Sequence, residues 1–346
     1  MDELSLLRFN YDRRFGVEIE LNSFDKRDFK AEPLSPVELP EGIKYVANLL
    51  MENVKAPVKI SKWHHTHNNF DEWVCKPDSS CGIEVCSPAS KGWTGLNSIV
   101  TAIDALSKDE NIKIDGRCSF HVHIDVEDCC VSRTQPHGFT VPSSGWSFEK
   151  SEGLAAILAW WIKCEAVFLD SVPDQRKRSR FAACIGCADE FYADEIVDPA
   201  TVIGRLAEQK YFTCNCYHLG RGKRPTIEFR IIEREGCLDP FLAKNWIRLL
   251  VHFVEMSKFW GLPDDYLWLD PKDVFSFLGF SGGFELSAGL RETRNWFLSR
   301  ILSNMEKSNL PGVWSKKARS KARKQAEELA SEIGLDRSRI GKYLRR

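Results

Sequence analysis

Alternation between apolar and polar residues marks the strands that the sequence predicts. In residues 15–21, Val, Ile and Leu alternate with two glutamates, which is the period of two expected for a half-buried strand. Shorter strand-like segments follow, and a turn at residues 77–80 is expected between the first two of them. These segments are residues 72–76, 82–86, 118–125, 213–218 and 226–232.

Helices and loops separate these strands. Helices are predicted over residues 41–54, 94–108, 151–170 and 240–259. Loops are predicted over residues 22–40, which hold three prolines, 61–69, rich in His and Asn, and 132–148, rich in Ser, Pro and Gly. Since there is no regular βαβ alternation, we expect an α+β fold with a largely antiparallel sheet.

The distribution of charge changes this picture more than its total does. The 346 residues carry 48 Lys and Arg against 49 Asp and Glu, a net charge of −1. Residues 315–346 alone hold 11 Lys and Arg against 4 Asp and Glu, so a basic tail of +7 follows a body of −8. The first residues lack the basic and apolar regions of a secretory signal, and no apolar run is long enough to span a bilayer. We therefore expect a cytoplasmic protein with no membrane partner, whose 12 cysteines are reduced.

Candidate chemistry lies on four of the strand-like segments. Residues two apart share one face of a strand, so adjoining strands would collect four carboxylates, two imidazoles and a guanidinium on one face. Buried carboxylates need neutralising cations, and oxygen ligands suit Mg²⁺ or Mn²⁺. Two such ions, with an arginine as phosphate clamp, would suit phosphoryl transfer. The residues are Glu18, Glu20, Glu84, His121, His123, Glu228 and Arg230.

Glycine-rich phosphate loops are not found in the sequence, so any nucleotide would be held by side chains and metal. Each short motif taken alone also occurs on the solvated faces of ordinary antiparallel strands. It is the joint occurrence of the motifs in strand-patterned segments that favours a site.

The order of these motifs resembles the amidoligase family, which belongs to the carboxylate–amine ligases with a glutamine synthetase-like catalytic fold. Residues 15–20 (Phe-Gly-Val-Glu-Ile-Glu) are similar to its first strand, and residues 78–88 (Asp-Ser-Ser-Cys-Gly-Ile-Glu-Val-Cys-Ser-Pro) to its next conserved element. Residues 118–124 (Cys-Ser-Phe-His-Val-His-Ile) resemble its His-Val-His strand. Asn215, residues 226–230 (Thr-Ile-Glu-Phe-Arg) and residues 236–240 (Gly-Cys-Leu-Asp-Pro) resemble its last block.

The resemblance covers roughly residues 14–260. It departs from the family pattern at Ser79, where Gly is common, and at Cys237, where Thr is usual. Neither departure removes a proposed ligand.

The resemblance implies an ATP-dependent reaction with Mg²⁺ or Mn²⁺, in which a substrate carboxylate is phosphorylated and an amine then captures the acyl phosphate as an amide. It implies one metal, which bridges the ATP phosphates, on Glu18, His121 and Glu228. A second metal, nearer the acyl phosphate, would lie on Glu20 and Glu84. His123 and Arg230 would contact phosphates. The implied catalytic residues are Glu20, Glu84, His123 and Arg230.

Two further arginines are candidates for binding ATP or substrate. The family often has an arginine near Arg180, which could contact a phosphate or a substrate carboxylate, although a solvated basic turn is the alternative. Arg224, four residues before Glu228, could help to bind the nucleotide. The identity of the carboxylate and of the amine (amino acid, peptide or protein) is not encoded in any motif.

Two other functions stay open. The pair His121 and His123 could serve a zinc-dependent hydrolase. The protein could instead be a non-catalytic binding protein whose basic tail contacts nucleic acid. A Cys₄ zinc site is a lesser possibility, and its ligands would be Cys184, Cys187, Cys214 and Cys216.

The basic tail is predicted to be helical. Residues 316–333 favour a helix, Gly334 is a stop signal, and Asp336 is an N-cap for a second helix. Residues 330–336 resemble a helix–turn–helix, which could bind nucleic acid or an acidic protein, whereas the alternative is a charged helix packed on the body. The predicted domains are a catalytic domain over residues 1–310, with an inserted loop at 132–150, and a basic helical extension over residues 311–346.

Overall fold

A computed structural model describes most of the chain. The described residues are 12–22, 41–61, 71–129, 131–132, 146–147, 152–185, 210–220, 225–264, 267–281, 285–308 and 315–344. The predicted loops at 22–40, 61–69 and 132–148 lie almost wholly outside these ranges. The expected α+β class is confirmed, because helices accompany a sheet that is mostly antiparallel.

Seven strands form one mixed sheet, in the order β2-β3-β4-β1-β5-β9-β8. β2 pairs with β3 in parallel, while β3 with β4, β4 with β1, and β8 with β9 are antiparallel. Outside this sheet, β6 pairs with β7 in a two-stranded antiparallel ribbon. The strands are β1 Phe15–Asn22, β2 Val58–Ile60, β3 Trp73–Asp78, β4 Gly82–Cys86, β5 Phe120–Asp125, β6 Val131–Ser132, β7 Trp146–Ser147, β8 Cys214–Asn215 and β9 Thr226–Phe229.

The four predicted helices of the body are confirmed to within two residues at each end. Among the described residues the helices are α1 Glu41–Val54, α2 Gly92–Lys108, α3 Glu152–Asp170, α4 Asp174–Lys177, α5 Tyr217–Gly220, α6 Pro240–Trp260, α7 Pro271–Phe277, α8 Ala288–Lys307, α9 Lys316–Glu332 and α10 Arg337–Leu344, with 3₁₀ turns at Glu127–Cys129 and Arg234–Cys237. None of the helices in these ranges is both long enough and apolar enough to cross a membrane.

Two predicted strands end earlier than expected. The segment 213–218 is a strand only at Cys214–Asn215, because the Tyr217 N–H donates to Asn215 Oδ1 and the chain turns into α5. The segment 226–232 is a strand only to Phe229.

The chain divides into two compact units. The first unit is built from described residues of Tyr11–His123 and Ile232–Ile247, and the second from those of Ile124–Ile231 and Arg248–Arg346. The predicted division into residues 1–310 and 311–346 stays a prediction.

In the first unit, the alternation in β1 separates an apolar face of the sheet from a polar one. Val17, Ile19 and Leu21 are fully buried, while Glu18 and Glu20 point to the other face. α1 packs against α2 and against β2 and β3, and it buries Ile43, Val46 and Leu50. The apolar face of the sheet is therefore part of the core, and the polar face carries the side chains that the sequence predicts as site residues.

In the second unit, the core is rich in aromatic rings contributed by several helices. Trp161 and Phe168 of α3 contact Phe253 of α6 edge to face, at centroid distances of 5.4 and 5.7 Å. Phe297 of α8 stacks on Phe275 of α7 at 5.7 Å. These ring contacts anchor α7 and α8 to the core.

The basic tail forms the two helices that were predicted, α9 and α10. Ser315 caps α9, Gly334 adopts a φ of +67° just beyond its end, and Asp336 accepts a hydrogen bond from the Arg339 N–H at the start of α10. α9 packs on α7 and α8 and buries Ala322, Ala326 and Leu329. The alternative of a charged helix packed on the body is thus met for α9.

Candidate functional site

The polar face of the first unit places one carboxylate between two imidazoles. His121 and His123 lie two residues apart on β5, so both project from the same face. His121 Nδ1 lies 3.3 Å from Glu18 Oε2, and His123 Nε2 lies 3.2 Å from Glu18 Oε1. Three residues that the sequence singled out are therefore in direct contact.

The Glu18 carboxylate is held in its charged form. Burial by itself raises the pKa of Glu18, but the charge of His123, hydrogen bonds from both histidines and the nearby Lys76 ammonium outweigh burial. The pKa of Glu18 consequently lies well below its usual value of 4.5. A carboxylate that stays ionised in a largely buried position is suited to bind a cation.

Glu84 lies on the same face and is paired with Lys76. β3 and β4 place Lys76 directly opposite Glu84, and Lys76 Nζ lies 2.8 Å from Glu84 Oε1, with both side chains about nine-tenths buried. Burial and the charge of Glu18 raise the pKa of Glu84, although Lys76 partly offsets them. The sequence prediction included Glu84 but gave no role to Lys76.

Glu20 is buried on β1, directly opposite Glu84 on β4. Two carboxylates that face each other across strands repel, so this register costs free energy unless positive charge lies nearby. Lys76, which is paired with Glu84, and His123 supply positive charge on this face. Of the predicted site residues, this one face bears Glu18, Glu20, Glu84, His121 and His123.

Cys86 joins this cluster, and the sequence prediction missed it. It lies opposite Glu18 in the register of β1 and β4, and its thiol donates a hydrogen bond of 3.1 Å to Glu84 Oε1. Burial, followed by the charge of Glu84, raises the pKa of the Cys86 thiol well above its usual range. One ligand atom each of Glu18, Glu84 and Cys86 lies within 4.8 Å of the others, which is a grouping able to hold a metal ion.

In the second unit, Glu228 and Arg230 of the predicted set lie together. Arg230 Nη1 donates to Glu228 Oε1 at 2.6 Å, and Asn215 Nδ2 donates to Glu228 Oε2 at 3.0 Å. Arg230 Nε also donates to the Phe181 carbonyl at 3.1 Å, and a guanidinium N–H of Arg176 donates to the Arg230 carbonyl. The arginine is therefore fixed from several sides.

Arg180 lies beside this pair in an exposed cationic and aromatic patch. Its guanidinium lies 4.8 Å from the Phe181 ring centroid, and Phe181 meets Tyr211 edge to face at 5.4 Å. Arg230 and Lys210 also lie within 6 Å of the Tyr211 ring centroid. Positive groups around exposed rings suit a planar anion such as a nucleotide.

Two residues that the sequence suggested as nucleotide or zinc ligands, Arg224 and Cys187, lie outside the part of the chain that the structure describes. The thiol of Cys184 donates to Glu165 Oε2 at 3.1 Å, and Glu165 also accepts from the Ile185 N–H and the Thr213 hydroxyl. This buried carboxylate network ties residues 184–185 to Thr213, so Cys184 has a structural contact irrespective of zinc.

An α+β sheet with buried carboxylates and imidazoles on one face defines a protein with a centre able to bind cations. Residues 11–254 match the family model described as "Putative amidoligase enzyme", and the chain belongs to this amidoligase family. The resemblance inferred from the motifs is thus confirmed, and the protein is an enzyme of the class that joins a carboxylate to an amine. No curated protein and no solved structure matches the chain.

Proposed function

We propose that the protein is an ATP-dependent carboxylate–amine ligase that uses an acyl phosphate and two divalent metals, Mg²⁺ or Mn²⁺, on a catalytic sheet of the glutamine synthetase type. One observation carries the proposal. Within the family match, Glu18 is held by His121 and His123 on a face that also bears Glu20 and Glu84.

The side chains of this face suit a divalent cation. Glu18 is ionised and offers oxygen, Glu84 offers a second carboxylate, and their ligand atoms lie close enough to share one ion. A bound cation would neutralise carboxylates and screen the charge of incoming phosphates. The resemblance adds His121 and Glu228 to one metal and Glu20 to the other, and these assignments remain proposals.

The proposed chemistry solves a specific problem, which is that a carboxylate has oxide as its leaving group. An oxygen of the substrate carboxylate attacks the γ-phosphorus of ATP, and ADP leaves. The amine nitrogen then attacks the acyl carbon, inorganic phosphate leaves, and the amine gives up a proton to a base. In this chain, His123, Arg180 and Arg230 would bind phosphates or orient the substrate carboxylate, and Arg224 would help to bind the nucleotide.

The decisive experiment measures amide formation that is coupled to ATP. Purified protein is incubated with ATP, Mg²⁺ or Mn²⁺ and panels of carboxylates and amines, while ADP release is followed and products are examined by mass spectrometry. We expect Glu18→Gln, Glu20→Gln and His121→Ala each to abolish turnover while circular dichroism stays unchanged. Glu41→Gln removes one exposed negative charge from α1 and serves as the control, with full activity expected.

Calorimetry gives a test that needs no knowledge of the substrate. The wild-type protein is expected to bind ATP in the presence of Mg²⁺, and Glu18→Gln to bind it far more weakly. Absence of ATP binding by the folded wild-type protein, with either metal, would refute the proposal.

A second candidate function, a zinc-dependent hydrolase, has one observation in its favour. His121, His123 and Cys86 are nitrogen and sulfur ligands of the kind that zinc prefers, and they lie around Glu18. Elemental analysis separates the two functions. Stoichiometric zinc, with hydrolysis that needs no ATP and is lost with a chelator, would favour the hydrolase.

A further inference from the structure

The last two helices are joined by a tight turn with defined geometry. α9 ends at Glu332 and α10 begins at Arg337, so four residues connect them. The Leu335 N–H donates to the Ala330 carbonyl at 2.7 Å, and the Gly334 N–H donates to the Ser331 carbonyl at 3.1 Å. This is the Schellman arrangement, and it requires the left-handed φ of +67° that Gly334 adopts.

Apolar residues at the end of α9 and in the turn itself are buried. Leu329, Ala330 and Leu335 are at least 95% buried, while α9 packs on α7 and α8, and α10 packs on α8. α10 itself has no buried residue, and Arg337, Ser338, Arg339 and Lys342 are all exposed. The second helix is therefore fixed by its neighbours but presents most of its surface outward.

The exposed charge of α9 and α10 is mainly positive, because their acidic side chains have partners in these helices or in α7. Glu327 pairs with Arg323 at 3.0 Å, and Lys272 of α7 pairs with Glu328 and Glu332 at 2.8 and 3.5 Å. Asp336 accepts hydrogen bonds at the start of α10. Asp336 interacts with Arg339, so the positive charge that is not offset within α10 lies mainly on Arg337 and Lys342.

The sequence holds further basic residues before and after these helices. α9 adds Lys316 and Lys317 at its exposed start, and Arg345 and Arg346 follow α10 in the sequence. The result is a short helix that carries positive charge and follows a glycine turn.

We propose that α9 and α10 form a helix–turn–helix that binds duplex DNA, with α10 as the helix that enters the major groove. A four-residue glycine turn, a first helix with one buried face and an exposed cationic second helix are features of such elements. The major groove admits one α-helix, and its rims are lined by phosphates that the arginines and the lysine of α10 complement. The residues of this surface, on α9 and α10, are different from those assigned to the ligase site.

The test is the fluorescence anisotropy of a short labelled DNA duplex of mixed sequence, titrated with the full-length protein. If three cations of α10 contact phosphates, affinity falls at least about 40-fold between about 50 mM and about 200 mM salt. The variant Arg337→Gln/Arg339→Gln/Lys342→Gln is expected to lose at least about 10-fold in affinity at the lower salt. Its logarithmic salt slope should flatten by about 3.

A control variant separates this surface from general charge. Lys59→Gln/Lys91→Gln/Lys113→Gln also removes three positive charges from exposed side chains, but from the first unit, and should bind DNA as the wild type does. Since Arg339 also donates to the Gly334 carbonyl, Lys342→Glu provides a second variant that changes one exposed side chain only. It should weaken DNA binding while the circular dichroism spectrum stays unchanged.

Three results would overturn the proposal. The first is no binding of the wild type to the duplex at low salt, and the second is equal binding by the wild type and the α10 variants. The third is binding of poly-glutamate, but not of DNA, that depends on the same α10 cations, since the surface would then bind an acidic protein. ATP-dependent activity should be the same in the wild type and the α10 variants, so a failure here is distinguishable from a failure of the ligase proposal.

Discussion

Replacing Lys76 with methionine tests how the carboxylates on the polar face of the sheet are tolerated. Methionine keeps most of the side chain's volume but removes the ammonium that lies 2.8 Å from Glu84 Oε1. The side chains of the pair are only 9% and 10% exposed, so water cannot replace the lost cation. Removing one partner of such a buried pair costs about 3–5 kcal/mol of the free energy of unfolding.

The loss of unfolding free energy in Lys76→Met should depend on pH through the protonation of Glu84. Its pKa is already raised in the folded protein by burial and by Glu18, and loss of Lys76 raises it further. A carboxylate whose folded pKa lies above the unfolded value of 4.5 destabilises the fold at higher pH, and this effect disappears as the pH falls and the group is protonated. The loss in Lys76→Met should therefore be largest near neutral pH and shrink in mildly acidic buffer.

Urea unfolding followed by circular dichroism, in the presence of a chelator, measures the effect. Lys44→Met breaks the exposed pair with Glu41, whose Nζ–Oε1 distance of 2.7 Å is nearly the same, and should cost less than about 1 kcal/mol. Adding Glu84→Gln to Lys76→Met should recover most of the loss. If Lys76→Met costs no more than Lys44→Met, then the buried charges are not coupled as the structure indicates.

Three further outcomes are expected. Arg230→Lys keeps the charge but loses the fork that contacts Glu228 and the Phe181 carbonyl, so turnover should fall about 100-fold, whereas the exposed Arg178→Lys should not affect it. Cys86→Ser removes a soft sulfur, so activation by Mn²⁺ should weaken about 10-fold relative to Mg²⁺, as metal titrations of activity would show. Burial lowers the pKa of His252 to about 4, so stability should fall by about 2 kcal/mol from about pH 7.5 to about pH 5. His252→Gln, compared by urea unfolding at both pH values, should lose that share of the pH dependence.

The sequence predicts β1 and β5 well because each has one polar face and one apolar face. Glu18, Glu20, His121 and His123 then follow from the period of two without any knowledge of neighbouring strands. The strand predicted over residues 213–218 is too long for a local reason. The Asn215 side chain accepts a hydrogen bond from the Tyr217 N–H, and this contact ends the strand. The strand propensity of residues 213–218 does not predict this end, because an Asn side chain that bonds to the backbone competes with the strand pairing.

The sequence did not predict a role for Lys76 or Cys86, because that role depends on how β4 is aligned with β3 and with β1. The expected turn at residues 77–80 would end β3 too early. In the structure Asp78 Oδ1 accepts from the N–H groups of Ser80 and Cys81, so the turn lies at 79–81 and β3 reaches Asp78. Only this register places Lys76 opposite Glu84, and only the pairing of β1 with β4 places Cys86 opposite Glu18.

These two residues constrain how the proposed ligase can bind its metal. Lys76 already donates to the oxygen of Glu84 that accepts the Cys86 thiol hydrogen bond, so a metal at Glu84 must use the other oxygen or displace one of these contacts. Glu18 differs, because its partners are imidazoles, which are themselves able to bind metals. The first ion should therefore bind through Glu18 and His121, whereas an ion that uses Oε1 of Glu84 should require Lys76 to move. Lys76, once released in this way, would carry its positive charge on the face where the resemblance places the acyl phosphate. Binding of the second ion and stabilisation of the anionic intermediate would then be coupled through this one side chain.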